Sequence, residues 1–385
     1  MVIINAKILT METGTIECGF LRIKGKIIDE LGAMSDYRAD NKDDRILDVK
    51  GAWVMPGLIE SHCHIGITEE KWGTIADDCN EDTSPVTAYL RALDAVNPMD
   101  PAFHDAIAAG ITSVMVGPGS ANVVGGQFLF MKTQGRCLDN MVVKSPAAMK
   151  VAFGENPKVS YGDRNQCPST RMGIAALLRK LLFEAMQYKK EKENKTLQKD
   201  DFELEPWIPV LNGEIPLKAH AHRADDILTA IRIAKEFHID ITIDHGTESH
   251  LIADEIKKAG YPVIVGPHLT SRSKLEVKNL SFKTHKILND AEILFSVTTD
   301  HPVVLIQYLP ICAGLAVKAG LPMEEALKAI TINAAKICKV DDRVGSIKRG
   351  KDADIAIFTG NPMEIFTETL YTIIDGKIVY EGGEV

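Results

Sequence analysis

Long apolar runs are missing from this 385-residue chain. None reaches the roughly 18 residues that a membrane-spanning helix needs, so no span is expected. The opening Met1-Val2-Ile3-Ile4-Asn5-Ala6-Lys7-Ile8-Leu9-Thr10 has no basic start, no long apolar core and no cleavage site, which argues against a signal peptide. Positive charge is in deficit as well. With 44 Lys and Arg against 53 Asp and Glu, the net charge of -9 argues against nonspecific binding to nucleic acid or to an acidic membrane surface. Cysteine is sparse and odd in number, at seven, and forms no Cys-x-x-Cys pair. That suits a reducing cytosol in which Cys63 and most other thiols are small buried apolar groups, so the expected location is cytoplasmic. Repeats and low-complexity segments are also absent. The glycine-rich residues 117–127 lack the Gly-Lys-Ser/Thr ending of a nucleotide loop and read as a pocket-lining loop after a second strand. The remaining composition, 45% hydrophobic and 25% charged, is that of a soluble globular protein long enough for one large α/β barrel with a small appendage.

Residues 1–55 read as short strands broken by turns: 2–9, 20–23, 26–29, 45–49 and 53–55, closed by Pro56-Gly57. The C-terminus repeats that texture, with strands at 353–358 and 371–380 around Asp375-Gly376. Two β-rich ends around a long middle predict a small composite β-domain from residues 1–55 plus 345–385, and a barrel from residues 56–344. In the middle, strands are expected at 58–62, 111–116, near 141–143, and at 147–153, 217–220, 239–245, 262–266 and 293–298. Helical patterns over 172–195, 224–237, 248–259 and 304–319 fall between them. Eight apolar strands alternating with helices predict a closed parallel (β/α)8 barrel, with active groups at the C-terminal strand ends. The mixed-sign run at 189–193 reads as a solvated helix face.

The stretch Gly57-Leu58-Ile59-Glu60-Ser61-His62-Cys63-His64 is a short apolar strand ending in His-x-His. Alternation along a strand puts His62 and His64 on one side, where they can bind one ion. Imidazole favours zinc, iron or nickel over calcium or magnesium. Three further polar groups end later strands: His220, His245 and Asp300. A single strand-end histidine is usually a satisfied structural residue, but five such groups at one rim read jointly as a metal site.

At these residues the chain resembles the amidohydrolase superfamily, most closely its imidazolonepropionase-related branch. The likeness rests on Trp53 through His64, on Asp244-His245-Gly246, and on the tail from Thr331-Ile332-Asn333-Ala334-Ala335-Lys336 through Val344-Gly345-Ser346-Ile347-Lys348-Arg349-Gly350-Lys351-Asp352-Ala353-Asp354. The resemblance implies a (β/α)8 barrel with a composite β-sandwich domain from both termini. It also implies one or two divalent metal ions, zinc first, with iron, manganese or nickel as alternatives. His62 and His64 would hold the first ion and His220 and His245 the second, while Asp300 would bind metal and act as the catalytic general acid/base.

The bridging ligand departs from the carboxylated lysine of many relatives. Glu155 is expected to bridge in preference to Lys150, and the two have opposite parity, so a regular strand points only one of them inward. His222 could replace His220 as ligand or touch substrate, and His268, after the seventh strand, is a second candidate substrate contact. Tyr161, Arg164 and Arg171 lie in a loop-rich insertion, where an arginine could pair with a substrate carboxylate but reads first as a surface residue. The expected function is hydrolysis of a C–N bond in an amide, cyclic amide or peptide-like small molecule, with a homo-oligomer implied by the resemblance. A mononuclear deaminase acting on an amidine or aromatic C–N bond is the alternative, and a non-catalytic oligomeric scaffold the third reading.

Overall fold

In the computed structural model, which describes residues 1–39, 45–70 and 75–383, the two termini build one sheet. The N-terminal segment supplies β1 (Val2–Leu9), β2 (Thr15–Lys24), β3 (Ile27–Ala33), β4 (Ile46–Asp48) and β5 (Trp53–Pro56). After them the chain enters the barrel with β6 (Leu58–Cys63), β7 (Ile111–Val116), β8 (Val124–Lys132), β9 (Val142–Ala152) and β10 (Leu217–Ala221). It continues through β11 (Ile241–His245), β12 (Val263–Val265) and β13 (Phe295–Val297), then returns to the first sheet with β14 (Ile355–Phe358), β15 (Thr369–Ile374) and β16 (Lys377–Glu381). The terminal sheet runs β16-β15-β14-β5-β1-β2-β3, with β4 paired to β1. Its β15–β16 hairpin turns at Asp375-Gly376, where both residues have positive φ (51° and 72°), as a two-residue loop between twisted strands requires.

The second sheet has eight strands in the order β13-β12-β11-β10-β9-β8-β7-β6, a nearly closed barrel. Between its ends, β13 and β6, side chains bridge the seam: Ser61 and Ser296 share a 2.8 Å hydroxyl contact, and the Thr298 hydroxyl donates to the His62 carbonyl at 2.7 Å. Glu60, fully buried, fastens the same seam by accepting from the Thr298 hydroxyl, from the Thr299 backbone N–H and hydroxyl, and from the His62 N–H. Burial pushes its carboxyl up to about 7 against those hydrogen bonds.

The expected all-parallel barrel is corrected in one sector. β8 runs antiparallel to both β7 and β9, with no α-helix on either side of it, so the sheet is mixed. Two of the expected strands, near 141–143 and at 147–153, are parts of the single strand β9, and the stretch expected as a pocket loop contains the start of β8. The helices fall close to their expected places: Arg171–Glu193, Ala224–Phe237, Ala253–Ala259 and Leu309–Lys318. Ala224–Phe237 closes on His238 in the left-handed conformation and buries Ile227, Ala230, Ile231 and Ala234, an i, i+3, i+4, i+7 stripe, against the barrel. No helix among the described residues is long and apolar enough to cross a membrane.

Candidate metal centre

Strand alternation carries the first histidines inward. His62 lies in β6 and His64 just beyond it, and both meet Asp300, which follows β13. Asp300 Oδ1 lies 3.5 Å from His62 Nε2 and 3.3 Å from His64 Nε2. His220, His222 and His245 form a second group from β10 and β11, and within each group the potential ligand atoms lie within 4.8 Å of one another. The two groups adjoin: the rings of His62 and His245 are 5.1 Å apart, and His245 Nδ1 is 3.8 Å from Asp300 Oδ2. Asp300 and His245 both hold positive φ, 53° and 74°. For a histidine that is a strained backbone, and such strain gathers where a side chain must be aimed.

In four of these rings, all but His220, Nδ1 has a fixed partner. His64 Nδ1 donates to the Gly117 carbonyl at 2.7 Å and His245 Nδ1 to the Gly266 carbonyl at 2.9 Å, while His222 Nδ1 meets the Thr247 hydroxyl at 2.7 Å. His62 Nδ1 lies 2.9 Å from Asp244 Oδ2, and Asp244 is itself held by Lys218 Nζ at 3.3 Å and the Thr242 hydroxyl at 2.7 Å. Fixing Nδ1 fixes the tautomer and leaves Nε2 as a lone-pair donor, the arrangement that supports histidine ligands from outside. Burial holds His62, His220 and His222 well below the ordinary histidine range, so these rings are neutral, as ligands must be. Burial alone would raise Asp244, but Lys218 and His62 outweigh it and keep the carboxylate charged.

The donor set of five imidazoles and a carboxylate suits a borderline divalent cation. Apart from His62 Nδ1, which is ion-paired with Asp244, two buried atoms in it, His220 Nδ1 and Asp300 Oδ1, have no hydrogen-bond partner among the described residues, which fits groups built to hold an ion.

Glu155 is not brought to this centre, contrary to the sequence expectation. β9 ends at Ala152, and Gly154 (φ 85°) turns the chain, so Glu155 opens the helix Glu155–Gly162 and exchanges contacts with the backbone and carboxylate of Glu276. Lys150 is the residue that points inward: it is fully buried in β9, with Nζ 3.3 Å from His62 Nε2, and burial pulls its amine down to about 8. His268 is buried beside His285 and Phe282, with neither ring nitrogen partnered, and belongs to neither group. Of the insertion residues, Arg164 pairs with Asp82 on the surface and Arg171 with the buried Asp226, while Tyr161 is buried and donates to the Ser84 carbonyl.

Sequence reasoning missed Lys218 and gave Asp244 no role. Both were reachable, since Lys218 shares the side of His220 two positions on, and Asp244 adjoins His245. It also missed Glu276, a lone glutamate in a loop.

The amidohydrolase family model matches residues 211–379. The amidohydrolase tasK of Hapsidospora irregularis is 26% identical over 93% of this chain, and the adenine deaminase of Listeria monocytogenes is 24% identical over 100% of it. The chain spans only 40% and 58% of those two proteins. The crystal structure of an amidohydrolase from Thermotoga maritima superposes with a TM-score of 0.95 at 40% identity, covering 99% of this chain and 100% of that one. These relatives do not single out the imidazolonepropionase-related branch. A likeness of that extent to the Thermotoga protein, carried from end to end of both chains, makes this chain a member of the amidohydrolase family.

Proposed function

We propose that the protein is a metal-dependent hydrolase of a C–N bond in a small molecule, an amide, cyclic amide or peptide-like compound, with a binuclear centre. The observation that carries this reading is the meeting of two buried ligand groups, one around Asp300 and one around His245, beside the inward-pointing Lys150. In this reading His62, His64 and Asp300 hold one ion and His220 and His245 the other. Lys150, carboxylated on its amine by carbon dioxide with loss of a proton, would supply the carboxylate between the two sites. Divalent cations bound there, zinc first, would lower the pKa of water from about 15.7 to about 7 and polarise the scissile carbonyl. Asp300 then takes the proton of the attacking water and returns it to the leaving nitrogen, which converts a poor amide anion into a neutral amine. The outer contacts from Asp244, Gly117 and Gly266 keep the rings from turning during that exchange.

The same reading takes the terminal sheet as a small β-sandwich domain, residues 1–55 plus 345–385, on a barrel of residues 56–344. Its support is a hydrophobic cluster of its own, including Ile3, Ile8, Leu21, Ile355 and Ile373. Seven free cysteines support a cytoplasmic setting.

The whole-chain match to an adenine deaminase favours a second reading, a mononuclear deaminase in which His245 is an acid or base. Metal content per chain by elemental analysis separates the two. The expected result is two ions in the wild type, fewer in Lys150→Gln, and two in Glu155→Gln. One ion in all three would sink the carbamate bridge and move the substrate search from amides to aminopurines and amidines. No ion in the wild type would point to the scaffold.

A further inference from the structure

A cavity of about 730 Å³ lies between the loop after β6, the strand β8 and the segment before β10. That volume is within the range of about 300–1,000 Å³ usual for small-molecule pockets. The loop runs beside β8, with bridges at Val86–Val124 and Arg91–Gln127, in the sector where no α-helix flanks the strand.

One end of the cavity reaches the metal centre. Cys79 lines it, and the Cys79 thiol interacts with the His64 imidazole. Pro118 lines it directly after Gly117, whose carbonyl accepts from His64. Gly125 lines it as well, and a Cβ there would stand 3.3 Å from Lys150 Cγ, so this wall is one glycine thick. Away from that end the walls are apolar, with the Tyr89 and Phe202 rings packed at 5.6 Å beside Leu90 and Pro206.

The charges on the lining are mostly negative: Asp78, Glu81, Asp94 and Glu205 against Arg91. Arg91 is committed to Asp94 through two contacts of 2.9 Å, and Glu205 accepts from Lys192 at 2.5 Å. Asp78 and Glu81 have no ion-pair partner among the described residues. An anion entering here would lose its water and find no cation to replace it, whereas an apolar body needs none.

We propose that this cavity receives the body of the substrate, which is therefore a C–N compound with a bulky apolar or aromatic group, neutral or cationic and without a carboxylate. The scissile bond would lie at the end formed by Cys79 and Gly125. The inference rests on the reading that the adjoining histidine groups hold catalytic metal, and it names the class of molecule that site would cleave.

The test uses full-length protein loaded with Co2+ and three probes: naphthaleneacetamide, naphthalenesulfonate and acetamide. The first two share a ring and differ in charge, and acetamide lacks the ring. Affinity is read by equilibrium dialysis and contact with the metal centre by the visible Co2+ band. Ala95→Trp fills the cavity from its wall, and Tyr89→Ala, which removes a wall ring, serves if circular dichroism shows the tryptophan variant unfolded. The expected result is naphthaleneacetamide bound roughly tenfold or more tightly than either other probe, with a shifted Co2+ band. The folded variant should bind it roughly tenfold more weakly, while keeping the wild-type Co2+ content and ligand-free band. Equal binding of the sulfonate, unchanged affinity in the folded variant, or binding without a spectral shift overturns the proposal. A wild type that takes up no Co2+ instead overturns the metal reading beneath it, and dialysis still reports whether the cavity prefers the apolar amide.

Discussion

At the scale of single residues, the histidine cluster is backed by buried charges. Asp244 is fully buried between His62 and Lys218, with no solvent to take over for either. Removing one member of a buried pair leaves the other uncompensated, so Asp244→Asn should cost about 3–5 kcal/mol in urea unfolding. It should also weaken metal binding by about 10–100-fold, as loss of outer support for a histidine ligand does. A variant as stable as wild type would show that the Asp244 carboxylate does not balance the charge around it. The clustering of the histidines with Asp300 was legible because each stands at or just beyond the end of a barrel strand. Glu276 was not, because its approach to His220 and His222 depends on a loop returning across the rim, and no periodicity marks such a loop. The inward placement expected of Glu155 was missed on the same ground: position 155 lies beyond the strand, where Gly154 has already redirected the chain.

At the scale of elements, the departure from a regular barrel lies at β8. Its residues Phe128, Leu129, Phe130 and Met131 are buried without alternation, and its glycines, Gly125 and Gly126, resemble loop composition. Period-two reading therefore finds no strand there, whereas β1, β10 and β11, with clean apolar patterns, were found within a residue or two. The close packing of β8 on the rim makes a specific demand at Gly117, whose carbonyl accepts from His64. A Cβ at Gly117 would stand 2.1 Å from the Phe128 ring, so the loop or the ring must move. Gly117→Ala should destabilise by about 1–3 kcal/mol, as overpacking does. On the proposed binuclear reading it should also loosen the first ion by displacing that carbonyl. A metal titration that shows the first equivalent bound as in wild type would break the link between the loop and His64.

At the scale of the whole molecule, the ends of the chain are held together by polar contacts as well as by the sheet. Lys132, at the end of β8, reaches Asp352 at 2.9 Å, Asp375 at 3.4 Å and Asp354, and so fixes the barrel to the C-terminal strands. On another side Glu12 accepts from Ser346 and Lys348, each at 2.7 Å. The Lys348 and Ser346 contacts hold Glu12 at about 2, below its ordinary 4.5. Because its folded value is depressed, its contribution is complete above about 4.5 and is lost as pH falls through about 2. Glu12→Gln should therefore flatten the acid limb of stability between those values in thermal melts across pH. An unchanged limb would mean that the contact persists in the unfolded chain.

The position of β5 between β1 and β14 sets an order of events during synthesis. Trp53 to Pro56 leave the ribosome early, yet their partners on one side, Ile355 to Phe358, are made about 300 residues later. At roughly 5–20 residues per second that is about 15–60 s during which a buried central strand is an open edge. The newborn chain must carry that edge without pairing it elsewhere, so closure of the terminal sheet waits for the synthesis of β14, and barrel contacts that precede it work as its scaffold.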